Sequence, residues 1–118
     1  MKMTIQECYL AMGADYDSVF RRLRKDERIE KFLRKVPADP SYDMLCNALE
    51  NRNMEEAFRA AHTLKGICQN LSLTALYESS AALTERLRGG AEYGEDIEPM
   101  LAAVKADHDK MLECVQQL

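Results

Sequence analysis

Apolar residues recur every three or four positions along most of the chain, and Gly, Pro and Asn interrupt that rhythm at about one helix length. Thr4 can cap a first helix over roughly 4–12, which stops at Gly13. Asp15 can cap a second over roughly 15–24, with Val19, Phe20 and Leu23 on one face. Asp26 to Val36 reads as a third, with Ile29, Phe32, Leu33 and Val36 at helical spacing, until Pro37 and Pro40 break the pattern. Ser41 or Asp39 starts the next, which runs to about Glu50 with Met44, Leu45, Ala48 and Leu49 turned inward. Asn51-Arg52-Asn53 is a turn, and a long helix follows from about Met54 to Asn70. Ser72 or Thr74 caps the helix after it, which runs to Arg88 and ends at Gly89-Gly90. The last helix begins near Glu95, carries Pro99 in its first turn and continues to the C-terminus. No segment alternates as a strand does, and none is repeated or of low complexity.

Successive helices joined by short turns pack antiparallel. The pattern therefore predicts an all-α fold, an up-and-down four-helix bundle with additional short N-terminal helices. Residues 1–118 form one domain in this reading, with a bundle core at about 39–118 and cap helices at about 4–36. The apolar share of 47% and the charged share of 31% argue against a disordered chain. A domain of this length buries roughly two-thirds of the surface its unfolded chain exposes, so it needs no metal or disulfide to hold a core.

Charge and cysteine content narrow the partners. A net charge of −4 argues against a general nucleic-acid binder. Arg21, Arg22, Arg24 and Lys25 cluster, but acidic residues follow at once, which reads as a solvated helix face. No apolar run approaches the roughly 20 residues that span a bilayer, and the N-terminus lacks a signal-peptide pattern. Cys8, Cys46, Cys68 and Cys114 contain no C-x-x-C pair. Four cysteines could form two disulfides in a secreted protein; without an export signal they read as free thiols of a cytoplasmic one.

The 54–70 helix holds the most suggestive chemistry. With His62 at 0° and about 100° per residue, Ala57, Ala60, Leu64, Ile67, Cys68 and Leu71 form an apolar stripe on the opposite side. Lys65 falls at about 300° and Arg59 at about 60°, on either side of the histidine. Phe58, Gly66, Gln69 and Glu55 share that outer face. A neutral imidazole keeps a lone pair on one nitrogen and is a nucleophile near neutral pH. The two cations can reach the oxygens of a phosphoryl group placed on it. Gly66 is unfavourable inside a helix by roughly 1 kcal/mol relative to Ala, which suggests close approach of another molecule. Phe58 would be an exposed apolar ring on the same face, as a docking surface requires. Periodicity by itself is equally met by a solvated face that happens to carry His, Lys and Arg.

The stretch His62-Thr63-Leu64-Lys65-Gly66, followed by Asn70-Leu71, resembles the H-x-L-K-G signature of histidine phosphotransfer domains. Arg59-Ala60-Ala61 and Leu76-Tyr77-Glu78 also look like that family, and the resemblance extends over roughly residues 25–118, free-standing and of bacterial type. It implies that His62 accepts a phosphoryl group from a receiver-domain aspartyl phosphate and passes it to another receiver. Lys65 would help hold the phosphate, and Gly66 would leave room for the receiver. The partners implied are response-regulator receiver domains, including those of hybrid histidine kinases. Receivers of that kind bring their own Mg²⁺, so no cofactor or metal site is implied here. The family's free-standing members are monomeric and cytoplasmic.

Three positions depart from the family's pattern. Ser72 stands where Gly is usual, and a serine can cap the following helix. Gln69 stands where a small residue is common; it would crowd a partner, or donate a hydrogen bond to the imidazole or phosphate. Thr84, by an ungapped count, takes the place of a polar residue facing the histidine, with Arg88 one turn further on. Two other classes of function remain open. One is a receiver-docking protein that keeps the fold without the chemistry, and the other is a generic helical interaction module.

His108, in the run Leu101, Val104, His108, Met111, Val115 and Leu118, reads as an aromatic-sized filler at the edge of the core. Asp107 and Asp109 beside it point in other directions, as adjacent helical positions do. The methionines read as packing. Gly89-Gly90 lacks the following Lys-Ser/Thr of a P-loop. The chain reads as a phosphoryl carrier rather than an enzyme with its own ATP site.

Overall fold

A computed structural model describes residues 2–118, and the described residues form α-helices joined by short connections. Helix α1 spans Ile5–Ala11, α2 Tyr16–Leu23, α3 Asp26–Leu33, α4 Ser41–Glu50, α5 Met54–Asn70, α6 Thr74–Leu87 and α7 Ile97–Val115. The order and lengths follow the hydrophobic pattern, and four helices, α4 to α7, make the bundle.

Local chemistry sets most boundaries. Thr4 and Glu7 form a reciprocal capping box at α1, with N···O distances of 3.1 and 2.8 Å. Gly13 turns the chain at φ +66°, and Asp15 then caps α2 through the Ser18 N–H at 3.0 Å. Helix α3 stops at Leu33, short of the expected Val36. Val36–Ala38 is instead a 3₁₀ turn, because Pro37 crowds the residue before it and has no N–H to continue the ladder. Asp39 accepts the Ser41 N–H at 2.8 Å and so serves the start of α4. Ser41, Leu45, Ala48 and Leu49 form the buried stripe of α4. Met44 is 54% exposed rather than inward, because it lies about 100° from Leu45, beside that stripe.

The α5–α6 connection differs from expectation in a useful way. Ser72 adopts left-handed backbone, φ 55°, and does not cap α6; the residue before Thr74 is Leu73, which makes no side-chain cap bond. The Ser72 hydroxyl instead donates to Ser18 at 2.9 Å and meets the Arg22 guanidinium. The α6 end at Leu87 precedes Gly89-Gly90, both left-handed, as the sequence indicates. Helix α7 starts two residues later than Glu95. Arg86 anchors the approach to it by pairing with Asp96 at 2.6 and 3.1 Å.

The N-terminal helices cover the end of the bundle where α5 turns into α6. The buried Tyr9 hydroxyl donates to the Leu71 carbonyl at 2.8 Å, and the Asp15 N–H donates to the Ser72 carbonyl at 2.9 Å. The Ala75 N–H returns a bond to Gly13 at 3.2 Å. Arg22, expected on a solvated face, reaches across to the last carbonyls of α5. Its guanidinium donates to Asn70 at 2.7 and 3.2 Å and to Gln69 at 3.1 Å. A cation there offsets the negative end of the helix dipole and satisfies carbonyls that lack intrahelical partners. The helix that carries His62 is thus held firmly at its far end.

Candidate functional site

Helix α5 begins at an Asn53 cap, whose side chain accepts the Glu56 N–H at 3.2 Å. It buries Ala57, Ala60, Ala61, Leu64 and Cys68 against its neighbours. That stripe turns His62, Thr63 and Arg59 out to solvent. His62 lines an open cleft of about 410 Å³ together with Phe58, Arg59, Thr63 and Arg88.

The cleft brings cationic groups around an accessible imidazole. The ring centroids of Phe58 and His62 are 5.9 Å apart. Phe58 is half-buried against the core rather than a free apolar ring. The Arg88 guanidinium lies 5.2 Å from the Phe58 centroid, within cation–π range. Arg59 pairs with Glu55 one turn before it, and Thr63 donates its hydroxyl to the Arg59 carbonyl at 3.0 Å. Lys65 is half-buried and makes no ion pair among the described residues. A Cβ built on Gly66 meets nothing within 4 Å, so the space over that turn is open. Gln69 is exposed about two helical turns further along, and its carbonyl is held by Arg22.

Thr84, which the ungapped count set facing the histidine, is not among the residues that line the cleft. It is 0% exposed, and its hydroxyl donates back to the Ser80 carbonyl at 2.7 Å. A threonine can be buried in this way because the carbonyl one turn earlier satisfies its only polar group. Arg88, one turn further on, reaches the cleft instead. Sequence reasoning also passed over Glu85, which accepts two bonds from Arg88, at 3.1 and 2.8 Å. The i, i+3 spacing of opposite charges was the available signal.

Elsewhere the chemistry is sparse. An apolar groove of about 350 Å³ opens between Leu23, Phe32, Val36, Ile67 and Leu71, with Lys35 and Asp39 as the charged side chains of its lining. Among the described residues no group of three or more His, Cys, Asp or Glu could hold a metal ion. No helix of these residues is long and apolar enough to cross a membrane. Cys8, Cys46, Cys68 and Cys114 are free thiols.

The profile of the Hpt domain family matches residues 27–118, a span that holds His62, the cleft around it and all four bundle helices. The chain belongs to the Hpt domain family. No curated protein and no solved structure matches it. As an Hpt domain it is a histidine phosphotransfer module of two-component signalling, built as a helical bundle. Helices α1 and α2 precede the matched span, yet Tyr9, Asp15 and Arg22 bond directly to the α5–α6 connection. The left-handed backbone at Ser72 gives a physical reason for the glycine usual at that point of an Hpt domain. Here the serine accepts the strain, and its hydroxyl bonds to Ser18 and Arg22.

Proposed function

We propose that this Hpt domain carries a phosphoryl group on His62 between the aspartates of receiver domains in a multistep phosphorelay. One observation carries the reading: an exposed imidazole in mid-helix opens onto a cleft shared with Arg59 and Arg88, with Lys65 and Gly66 in the next turn. In the forward step a lone pair on His62 attacks the phosphorus of an aspartyl phosphate. The N–P bond forms as the P–O bond breaks, and the aspartate leaves as a carboxylate with the electron pair. The reverse step places the group on a second receiver. Lys65 and Arg59 neutralise part of the phosphoryl charge, Gly66 admits the receiver's backbone, and Phe58 and Gln69 meet its surface. Thr84 supports the cleft from within the core.

The Mg²⁺ belongs to the receiver, and the chain needs no cofactor of its own. In this reading it is a carrier rather than a kinase, and its phosphoryl groups come from receivers rather than from ATP. Its partners are response-regulator receivers, including those of hybrid kinases, with neither nucleic acid nor membrane among them. It works as a cytoplasmic monomer, and residues 1–118 act as one unit because the N-terminal helices are bonded to the end of α5. Mixing the chain with a ³²P-phosphorylated receiver tests the reading. Acid-labile, base-stable label on the chain is the expected result. Receiver binding with no label under any receiver tested would overturn it in favour of a docking protein.

A further inference from the structure

The end of α6 carries Glu85 and Arg88 three residues apart, on one exposed face, while Leu83, Thr84 and Leu87 turn into the core. Arg88 occupies two environments at once. Its Nε and one terminal nitrogen donate to the two Glu85 carboxylate oxygens, at 3.1 and 2.8 Å. Its guanidinium also lies over Phe58, whose ring stands against His62. The Glu85 carboxyl is held below the usual carboxylate range, chiefly by the Arg88 bond, with Lys65 and His62 adding to the effect. Glu85 therefore sits in the same electrostatic field as the histidine, and it is an acid where the phosphoryl group needs cations.

A phosphoryl group on His62 would bring about two negative charges and three acceptor oxygens into this field. Those oxygens and the Glu85 carboxylate are alternative partners for one guanidinium, and an arginine fork fits both. We propose, on the reading that His62 carries the phosphoryl group, that Glu85 and Arg88 form a latch. Arg88 is paired with Glu85 in the free protein and turns to the phosphoryl oxygens when His62 is loaded. Glu85 acts through Arg88, as a positioning residue, and by competing for it makes phospho-His62 less stable than the cations would otherwise make it. A carrier benefits from this, because a histidine that held its phosphoryl group too well would not release it to the next aspartate.

The test uses the full chain loaded by phosphoramidate, a small-molecule donor that needs no receiver, and follows phosphohistidine decay by ³¹P NMR. Glu85→Gln should lengthen the lifetime roughly three- to ten-fold, and Arg88→Ala should shorten it by a similar factor. In the Arg88→Ala background Glu85→Gln should have much less effect, since the competed partner is gone. Glu85→Asp, which can still bind Arg88, should stay close to wild type. A lifetime unchanged by Glu85→Gln overturns the latch. So does an effect of the same size with and without Arg88, which would be a direct field of the carboxylate. If the wild-type chain takes no phosphoryl group from phosphoramidate or from any receiver, the reading of His62 fails, and the latch with it.

Discussion

His62 and His108 lie on different helices of one bundle, α5 and α7, and show two environments of the same side chain. His62 is exposed in the middle of α5, in a cleft that Arg59 and Arg88 also line, with open space over Gly66 in the next turn. His108 is 7% exposed and stacks face to face on Tyr42, with centroids 3.9 Å apart and planes within 7°. That stack joins α7 to α4. The His108 Nδ1 is buried with no hydrogen-bond partner among the described residues. Burial lowers the pKa of His108, against the opposing pull of Asp109 and Asp43, with Lys105 acting in the same direction as burial. A neutral tautomer with its proton on the other nitrogen leaves only a bare lone pair in the core, which costs less than a buried unpaired N–H or a buried charge. The comparison teaches that access and surrounding charge suit a histidine to the carrier role proposed for His62. Packing and desolvation make one a spacer.

The comparison breaks most visibly in stability. His108→Ala leaves a cavity beside Tyr42 and should cost about 2–3 kcal/mol by urea denaturation. His62→Ala, on an exposed face, should change stability by no more than about 0.5 kcal/mol. Equal costs for the two would remove the distinction. Next in size is Lys65→Ala. A charge-assisted contact at a half-buried site is worth about 1.5 kcal/mol, so the lifetime of phospho-His62 should fall roughly tenfold. Affinity for an unphosphorylated receiver should fall less. If calorimetry shows docking strongly weakened while the lifetime is intact, Lys65 belongs to the interface and not to the phosphate.

Gly66 sharpens the access side of the comparison. Gly66→Ala meets no neighbour and should raise stability by up to about 1 kcal/mol. Gly66→Gln should keep the fold and slow transfer from a receiver. Wild-type rates for Gly66→Gln with every receiver would show that nothing approaches that turn. The smallest effect is a pH dependence from His108. Its folded pKa lies below that of the unfolded chain, so the unfolded state binds more protons between the two values. The stability this histidine contributes is whole above about pH 6.5 and declines as the pH falls through that window toward the lowered folded value. His108→Phe, which preserves the stack, should flatten that part of the profile. An unaltered slope in this variant would assign the titration to other groups.

Much of this was legible in the residue pattern because helices report their own periodicity. The bounds of α5 and the outward position of His62 follow from an apolar stripe of Ala57, Ala60, Leu64 and Cys68, and the H-x-L-K-G stretch falls on the opposite side. Side-chain reach was not legible. Arg22 bonds to carbonyls 47 and 48 residues away, and no local pattern distinguishes it from Arg21 or Arg24. Thr84 and Arg88 share one end of α6, and an ungapped count favoured the one that lies in the core, since a threonine satisfied by its own helix can be buried. The left-handed Ser72 escaped notice because serine is a better cap than glycine in general, and only the turn geometry shows that a cap was not what this position needs. Glu85 was hidden by its ordinariness, as an acid on an exposed helix face three residues before an arginine.

The most direct test of the central claim is transfer from a ³²P-phosphorylated receiver to two single-histidine chains, His62→Gln and His108→Gln, beside the wild type. The label on each is followed through acid and base treatment, and folding of each chain is checked by circular dichroism. The account predicts acid-labile, base-stable label on wild type and on His108→Gln, and none on a folded His62→Gln chain. Label retained by His62→Gln would contradict it, because the exposed histidine in the cationic cleft would then not be the carrier.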